Sequence, residues 1–240
     1  MSATPIYQSA SYSHVGMVRQ VNEDACLELP EAGLWVVADG MGGHAAGDYV
    51  SSLIVDSLRR LPPLPALSAC TEALRAELSR INAQVRDQAV LRGVAMMGST
   101  VVMLAVRGNQ GPCLWAGDSR LYRLRAGQLS SVSRDHSYVQ ELVDSGLLTE
   151  AEARVHPRGN IVTRALGVSD ELELACTYLD MLPGDTYLLC SDGLNKTTED
   201  HEIRDVLCHH EAYAMVRSLI HLGLTRGAPD NITAIVIKAC

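Results

Sequence analysis

Short apolar runs bounded by turn residues recur along most of the chain, and such runs are typical of β-strands. They predict strands over residues 6–15, 25–29, 33–39, 99–106, 111–116, 121–125, 128–132, 171–179, 185–190 and 232–237. Elsewhere the apolar residues lie three or four positions apart, which is typical of amphipathic helices. This spacing predicts helices over residues 50–61, 67–85, 135–146, 199–208 and 211–222. Residues 147–167 are polar and irregular, and we expect an excursion from the core there.

The order of these elements predicts the fold class. Within the long block of strands, the connections contain Gly108-Asn109, Gly117-Asp118 and Ala126-Gly127. Connections this short join antiparallel strands, because a parallel pair needs a crossover of a dozen or more residues. We therefore predict an α+β fold, a four-layer α-β-β-α sandwich in which two antiparallel β-sheets are flanked by helices on both sides. The length of 240 residues fits a single domain over residues 1–240.

The composition limits which residue types can form the core and which classes of partner the protein can bind. Apolar residues make up 47% of the chain but Phe is absent, so the core must be mainly aliphatic. The net charge of −8, without a basic cluster, argues against nucleic acid or an anionic membrane as the main partner. Residues 1–14 do not resemble a signal peptide, and the longest uncharged apolar-rich stretch, residues 93–106, is too short for a membrane helix. We expect a cytoplasmic protein with no membrane segment, whose seven scattered cysteines are reduced.

Acidic residues recur in one local setting, at the boundary of a predicted strand and beside Gly, Asn or Ser. Those in this setting are Asp39, Asp118, Asp192 and Asp230, while Glu23 and Asp24 lie in the first polar turn. Each one alone is more typical of a turn, a strand cap or a solvated surface charge than of a binding site. If the strand ends converge, however, these carboxylates supply the oxygen ligands that Mg²⁺ and Mn²⁺ prefer. Their joint recurrence favours the metal site.

A set of short motifs places these acids in a wider pattern that spans nearly the whole chain. In order, the motifs are Arg19-x-x-Asn22-Glu23-Asp24, Asp39-Gly40-Met41-Gly42-Gly43, Gly98-Ser99-Thr100, Gly117-Asp118-Ser119-Arg120, Thr163-Arg164-Ala165-Leu166-Gly167, Ser191-Asp192-Gly193-Leu194 and Asp230-Asn231. Together they resemble the bacterial type 2C, metal-dependent Ser/Thr protein phosphatases. A single Asp-Gly pair is weak evidence, but this ordered set is specific.

The resemblance implies a function as well as a fold. Members of this family are β-sandwiches flanked by helices that remove phosphate from phosphoserine and phosphothreonine in proteins. The implied mechanism is direct attack by a metal-activated water at a centre of two or three Mn²⁺ or Mg²⁺ ions, without a phosphoenzyme. The implied partners are a bacterial Ser/Thr kinase, which the enzyme opposes, and that kinase's targets, by analogy forkhead-associated or secretion-system proteins. We expect a monomer that binds no nucleic acid.

The resemblance also assigns roles to the metal-binding residues. Asp39 would bridge two ions and, with Asp192, belong to the catalytic residues. The remaining ligands would be Glu23 and the Gly40 carbonyl on one ion and Asp192 and Asp230 on the other. Asp118, together with Asp192, matches the ligands of the third ion found in bacterial members.

Other positions match residues that support the reaction. Arg19 matches the catalytic arginine that receives the substrate phosphate, and a guanidinium suits this role because it forms paired hydrogen bonds. Asp24 and Asn231 match residues that support the ligands from behind. Residues 134–167 correspond to the flap beside the active site, a segment from which the substrate cannot be read.

One position departs from the eukaryotic pattern. Met41 replaces the histidine that is thought to protonate the leaving alkoxide in eukaryotic relatives. His44 lies three residues later and is a candidate general acid, with a role in the loop or at a helix N-terminus as the alternative. Metal-bound water is a further alternative. The source of this proton therefore stays open.

Two other function classes fit part of the pattern. A non-catalytic phosphoprotein-binding module could use the same fold, although none of the expected acids is substituted. A hydrolase of small phosphate esters or nucleotides would use the same ions, although a glycine-rich P-loop with its lysine is missing. Covalent phosphatase mechanisms lack their residues, because the chain contains no Cys-x5-Arg, Asp-x-Asp or Arg-His-Gly motif.

Overall fold

The computed structural model describes residues 6–42, 46–63, 66–209 and 211–240. Its strands are β1 (Tyr7–His14), β2 (Asp24–Leu29), β3 (Leu34–Met41), β4 (Gly98–Ser99), β5 (Val101–Ala105), β6 (Gln110–Ala116), β7 (Arg120–Arg125), β8 (Gln128–Ser131), β9 (Ala175–Asp180), β10 (Thr186–Cys190) and β11 (Ile232–Ala239). Its helices are α1 (Gly47–Arg59), α2 (Leu67–Arg92), α3 (Tyr138–Asp144), α4 (Glu150–Arg154), α5 (Asp192–Asn195), α6 (Asp200–Leu207) and α7 (Ala212–Thr225).

The strands form two antiparallel sheets. The first sheet has the order β1-β11-β10-β7-β8, and the second has the order β2-β3-β5-β6-β9, with the short β4 paired to β3. The first and last of the described strands are neighbours in the first sheet, because β1 pairs with β11 along its whole length. Helices α1 and α2 pack on the second sheet, and α6 and α7 pack on the first. The predicted sandwich of two antiparallel sheets flanked by helices is confirmed.

Three apolar layers hold the sandwich together, and the alternation of side chains along each strand produces them. In β3, Trp35 points between the sheets, whereas Val36 points toward α1 and α2. In β11, Ile235 points between the sheets, whereas Val236 points toward α6 and α7. Strands buried on both faces explain why the sequence shows continuous apolar runs rather than alternation with polar residues.

The helices differ from the predicted ones at three places. Helix α2 extends beyond its predicted range and ends at Gly93, which has a left-handed φ of 64°. Helix α4 lies in the segment 147–167 that was expected to be irregular, and Thr149 and Glu152 cap it reciprocally. Helix α5 was not predicted, because four residues are too few to show apolar spacing. None of the described helices is long and apolar enough to cross a membrane. The assignment of residues 1–240 to one domain stays a prediction.

Candidate metal centre

The space between the two sheets changes from apolar to polar at one end. Along β3, Asp39 follows Trp35 and Val37 at the two-residue spacing of the face between the sheets. Along β2, Asp24 lies directly opposite Asp39 in the antiparallel register. Because opposed residues in such a pair share a face, both carboxyl groups enter the end of the space between the sheets.

Asp24 is held by residues of the other sheet. Its Oδ2 accepts a 2.8 Å hydrogen bond from Ser191 Oγ, which in turn accepts a 2.9 Å bond from the Thr233 N–H. Its Oδ1 is buried and has no hydrogen-bond partner within the described part of the chain. Burial, reinforced by the charges of Asp192 and Asp230, raises the pKa of Asp24 to about 7. A cation close to this oxygen would offset the cost of burying it unpaired.

Asp39 is fixed through its backbone. Its N–H donates to Thr100 Oγ1 at 3.3 Å, and its carbonyl accepts bonds from the Thr100 N–H at 2.9 Å and from Ser99 Oγ at 3.0 Å. The Gly98-Ser99-Thr100 motif therefore positions this acid. Burial, followed by the charges of Asp24 and other nearby acids, raises the pKa of Asp39 well above its usual value.

Glu23 and Gly40 meet the N-terminus of α1. A Cβ on Gly40 would lie 2.2 Å from the Gly47 carbonyl oxygen, and a Cβ on Gly47 would lie 2.6 Å from Glu23 Oε1. Because neither glycine has a Cβ, β3 and α1 can approach each other and the Glu23 carboxylate more closely than side chains at these two positions would allow. The Gly40 N–H also donates a 3.1 Å hydrogen bond to the Glu23 carbonyl. The two residues assigned by resemblance to one ion are therefore adjacent.

Asn231 fixes the loop that carries Arg19 and Glu23. Its Nδ2 donates to the carbonyls of Val15 at 2.9 Å and Val21 at 3.0 Å, and its Oδ1 accepts from the Glu23 N–H at 2.8 Å. The side chain is buried, so it uses both amide hydrogens and the amide oxygen on this one loop. Asn231 thus joins the Glu23 N–H to the Val15 and Val21 carbonyls, and its role in supporting metal ligands stays a prediction.

Arg19 lies beside Asp230. Its Nη2 donates a 2.9 Å hydrogen bond to Asp230 Oδ2, and this bond raises the pKa of Arg19. The Arg19 side chain is 52% exposed, so its guanidinium can be reached from solvent. The arginine predicted to receive phosphate is therefore a neighbour of a predicted metal ligand.

Asp118 and Asp192 are joined by a lysine that the sequence analysis missed. Lys196 Nζ donates to Asp192 Oδ2 and, at 3.3 Å, to Asp118 Oδ2. Burial raises the pKa of the Asp118 carboxyl to about 7, and the Lys196 charge opposes this effect. The four-residue spacing of Asp192 and Lys196 was the only sequence signal for the lysine, because Asp192 begins α5 and Lys196 follows one turn later.

The predicted acids are close enough for their charges to affect Asp39, but they are not arranged around a common point as the ligands of one ion would be. The charges of Asp24, Asp118, Asp192 and Asp230 all act on Asp39. Even so, no three Asp, Glu, His or Cys side chains among the described residues converge closely enough to hold an ion in this arrangement. Basic side chains bind the outer carboxylates instead, Arg19 at Asp230 and Lys196 at Asp118 and Asp192. His44, the candidate general acid, lies outside the described residues.

The donor set nevertheless fits hard divalent cations. Its members are carboxylates and a backbone carbonyl, which are the oxygen ligands that Mg²⁺ and Mn²⁺ prefer. Burial, followed by the charges of nearby acids, raises the pKa of Asp24, Asp39 and Asp118, and bound cations would offset both effects. The unpaired Asp24 Oδ1 points to the same need.

The flap segment, residues 134–167, adjoins the acids at two points. Near its end, Leu166 and Ser99 exchange backbone hydrogen bonds of 2.9 and 3.0 Å, which ties the flap to the motif that holds Asp39. In its middle, Asn160 Oδ1 accepts a 3.0 Å hydrogen bond from Lys196 Nζ. The flap is thus bonded both to the support of Asp39 and to the lysine between Asp118 and Asp192.

A helix-flanked double sheet with an acidic cluster at one end of the space between its sheets is the architecture of the type 2C phosphatase class. Residues 12–222 match the family model described as Protein phosphatase 2C, and the chain belongs to that family. It is 39% identical over 237 residues to the serine/threonine protein phosphatase PstP of Mycobacterium tuberculosis. That match covers 97% of this chain and 45% of PstP, so the chain spans about half the length of that relative.

Other matches cover more than nine-tenths of both chains. The serine/threonine phosphatase stp of Listeria welshimeri is 32% identical over 235 residues, which cover 93% of this chain and 92% of that protein. A solved structure of PppA, described as a key regulatory component of T6SS in Pseudomonas aeruginosa, is 65% identical with a TM-score of 0.94 and covers all of both chains. The catalytic domain of PstP in complex with two manganese ions is 37% identical with a TM-score of 0.85, covering 98% of this chain and 99% of that one.

Proposed function

We propose that this chain is a metal-dependent protein phosphatase that hydrolyses phosphoserine and phosphothreonine in proteins. The observation that carries this proposal is the set of carboxyl groups whose charges act on Asp39, of which Asp24 and Asp118 are buried, with the exposed Arg19 beside it. Bound Mn²⁺ or Mg²⁺ ions would supply an activated water as nucleophile and would neutralise the phosphate oxygens. The manganese complex of the PstP catalytic domain supports this choice of metal.

The residues that would hold two ions are those that the family resemblance assigns. Asp39 would be shared between the ions, and the charges of four other acids act on it. The remaining ligands would be Glu23 and the Gly40 carbonyl on one side and Asp192 and Asp230 on the other. Asp24 and Asn231 would support these ligands through their bonds to Ser191 and to the Glu23 N–H.

Arg19 would bind the phosphate. Its guanidinium has five N–H donors, and the bond to Asp230 uses only one nitrogen of the group. The exposed remainder can donate to phosphate oxygens at the edge of the acidic cluster. Met41 has no proton to donate, so the leaving serine or threonine oxygen must take its proton from another group.

The biological setting is proposed from the relatives. Identity of 65% over the whole length of PppA supports a regulatory role connected with T6SS, in which the phosphatase opposes a bacterial Ser/Thr kinase on shared target proteins. We propose that the chain acts in the cytoplasm as a monomer.

A turnover assay tests the proposal and separates it from its two alternatives. Purified protein is incubated with Mn²⁺ and either a phosphothreonine peptide or p-nitrophenyl phosphate, with EDTA as the control. The proposal expects peptide hydrolysis that EDTA abolishes. Undiminished hydrolysis in EDTA would contradict the metal mechanism. Binding of the peptide without turnover would indicate a phosphoprotein-binding module, and turnover of the small ester alone would indicate a small-molecule hydrolase.

A further inference from the structure

Lys196 contacts oxygen atoms from three separate parts of the chain. Its Nζ donates to Asp192 on α5, to Asp118 Oδ2 in the β6–β7 turn at 3.3 Å, and to Asn160 Oδ1 in the flap at 3.0 Å. An ammonium group has three N–H donors and no acceptor, so each donor has an oxygen partner here. Three oxygens from separate parts of the chain therefore converge on this cationic nitrogen, as oxygen ligands converge on a metal ion.

The ammonium group of Lys196 forms ion pairs with both Asp118 and Asp192. Asp118 itself is 2% exposed, and a carboxylate buried that deeply is costly without a cation next to it. The lysine thus supplies a positive charge where the buried carboxylate needs one.

Asp118 and Asp192 are the two carboxylates to which the family resemblance assigns a third metal ion. We propose that the Lys196 ammonium takes the place of that ion, so that the centre of this chain binds two divalent cations rather than three. This inference rests on the proposed phosphatase function. Lys196 would act as a positioning residue, because it fixes one oxygen of Asp192 and thereby orients the other.

The contacts of Lys196 with Asp118, Asp192 and Asn160 would hold the flap in place without a third ion. A divalent cation between Asp118 and Asp192 would repel the ammonium and break its bond to Asn160, since both would need the same oxygens. With the lysine in that position, Asn160 of the flap is linked to Asp118 and Asp192 through Lys196 Nζ. Once two Mn²⁺ ions are bound, we therefore expect a further rise in Mn²⁺ concentration to leave the position of the flap unchanged.

The chain offers a matched control for testing this inference. It contains only two lysines, Lys196 and Lys238. Lys238 lies six residues past the first residue of β11, which begins beside Asn231, so about 20 Å of strand separates it from the acids. The Lys196→Met variant removes the ammonium and keeps an apolar stem, Lys196→Arg keeps the charge, and Lys238→Met is the control.

Isothermal titration calorimetry with Mn²⁺ measures the number of ions bound. We expect two ions for wild type, Lys196→Arg and Lys238→Met, and three for Lys196→Met, because the freed carboxylates then form a site. Asp118→Asn should leave the wild-type number at two. A wild type that binds three ions and loses one in Asp118→Asn would overturn the inference, as would a folded Lys196→Met that still binds two.

Hydrogen exchange of the flap provides a second measurement that does not depend on turnover. We expect amides near Asn160 to exchange at least about tenfold faster in both Lys196→Met and Asn160→Ala, because each loses a hydrogen bond to a charged group. Unchanged exchange in both variants would overturn the link to the flap. If Lys196→Met does not fold, Asn160→Ala and the wild-type stoichiometry decide the question.

The two proposals fail in different ways. Wild-type protein that hydrolyses a phosphothreonine peptide while binding three ions would overturn the role of Lys196 and leave the phosphatase function intact. Wild-type protein that binds two ions without hydrolysing the peptide would overturn the function instead.

Discussion

Asp24 and Asp39 lie directly opposite each other in the β2–β3 pair, with both carboxyl groups at the polar end of the space between the sheets. Burial raises the pKa of each, and the charge of Asp24 adds to the rise at Asp39. Such an arrangement destabilises the metal-free fold at neutral pH. Divalent cations bound beside these two carboxyl groups, as the family uses them, would offset this loss of stability.

The first prediction concerns the stability of the metal-free protein against pH. Asp24 and Asp118 have pKa values of about 7 in the folded chain and ordinary values near 3.8 when unfolded. Between these values the folded state binds more protons than the unfolded state, so the free energy of unfolding falls as pH rises. We expect the Tm in EDTA to fall from pH 5 to pH 7.5, and saturating Mn²⁺ to suppress this loss.

Two variants check the source of that slope. Asp24→Asn should flatten the fall in Tm, because it removes one of the titrating groups. Asp144→Asn is the control, because a hydrogen bond from Arg134 lowers the pKa of the exposed Asp144 carboxyl and shifts it in the opposite direction. A Tm that rises over this pH range, or a slope that Asp24→Asn leaves unchanged, would contradict the explanation.

The second prediction concerns Asn231. The Asn231→Ala variant loses three hydrogen bonds to one loop, and we expect it to lose about 1–3 kcal/mol of stability. It should also weaken Mn²⁺ binding, because the Glu23 N–H loses its hydrogen bond to the Asn231 side chain. Asn82→Ala is the matched control. The Asn82 side chain also makes three hydrogen bonds, to Gly167, Ser169 and Asp170, and none of them involves this loop.

Chemical denaturation and calorimetry together test this role. Both variants should lose comparable stability, but only Asn231→Ala should bind Mn²⁺ more weakly. Equal Mn²⁺ affinity in the two variants would show that Asn231 stabilises the fold without supporting the site.

The third prediction concerns Arg19. The Arg19→Ala variant should raise the KM for a phosphothreonine peptide roughly tenfold to a hundredfold, which corresponds to the loss of charge-assisted hydrogen bonds to phosphate. Arg19→Lys should recover only part of the affinity, because an ammonium cannot form the paired bonds of a guanidinium. Steady-state kinetics check both, with Arg80→Ala as the control because Arg80 pairs with Glu77 on α2. A KM that stays at the wild-type value in Arg19→Ala would remove the phosphate-binding role.

Most strands and the acids at their boundaries could be predicted from the sequence because both signals are local. An apolar run followed by Asp and Gly is visible in a few residues, as at Asp39, and so is the antiparallel pairing implied by short connections. The capping pair Thr149 and Glu152 was equally visible and would have indicated α4. Helix α5 was not visible, because a single turn has no periodicity.

Contacts between distant parts of the chain could not be predicted in the same way. The hydrogen bond from Ser191 to Asp24 joins residues 167 positions apart and depends on how the two sheets stack. The contact of Lys196 with Asp118 depends further on where the flap and α5 pack. Spacing along the sequence indicates which acids could meet, but it does not indicate which basic side chains will lie among them.

The measurement that tests the central claim most directly is Mn²⁺ binding and peptide turnover in Asp39→Asn. Besides burial, the charges of Asp24, Asp118, Asp192 and Asp230 all raise the pKa of Asp39. We expect calorimetry to show Mn²⁺ binding to wild type and to the control Asp56→Asn, whose acid lies on the exposed side of α1. Asp39→Asn should bind far more weakly and lose about a thousandfold or more in kcat/KM, since a metal contributes several kcal/mol to such a reaction. Wild-type Mn²⁺ affinity and turnover in Asp39→Asn would contradict the account.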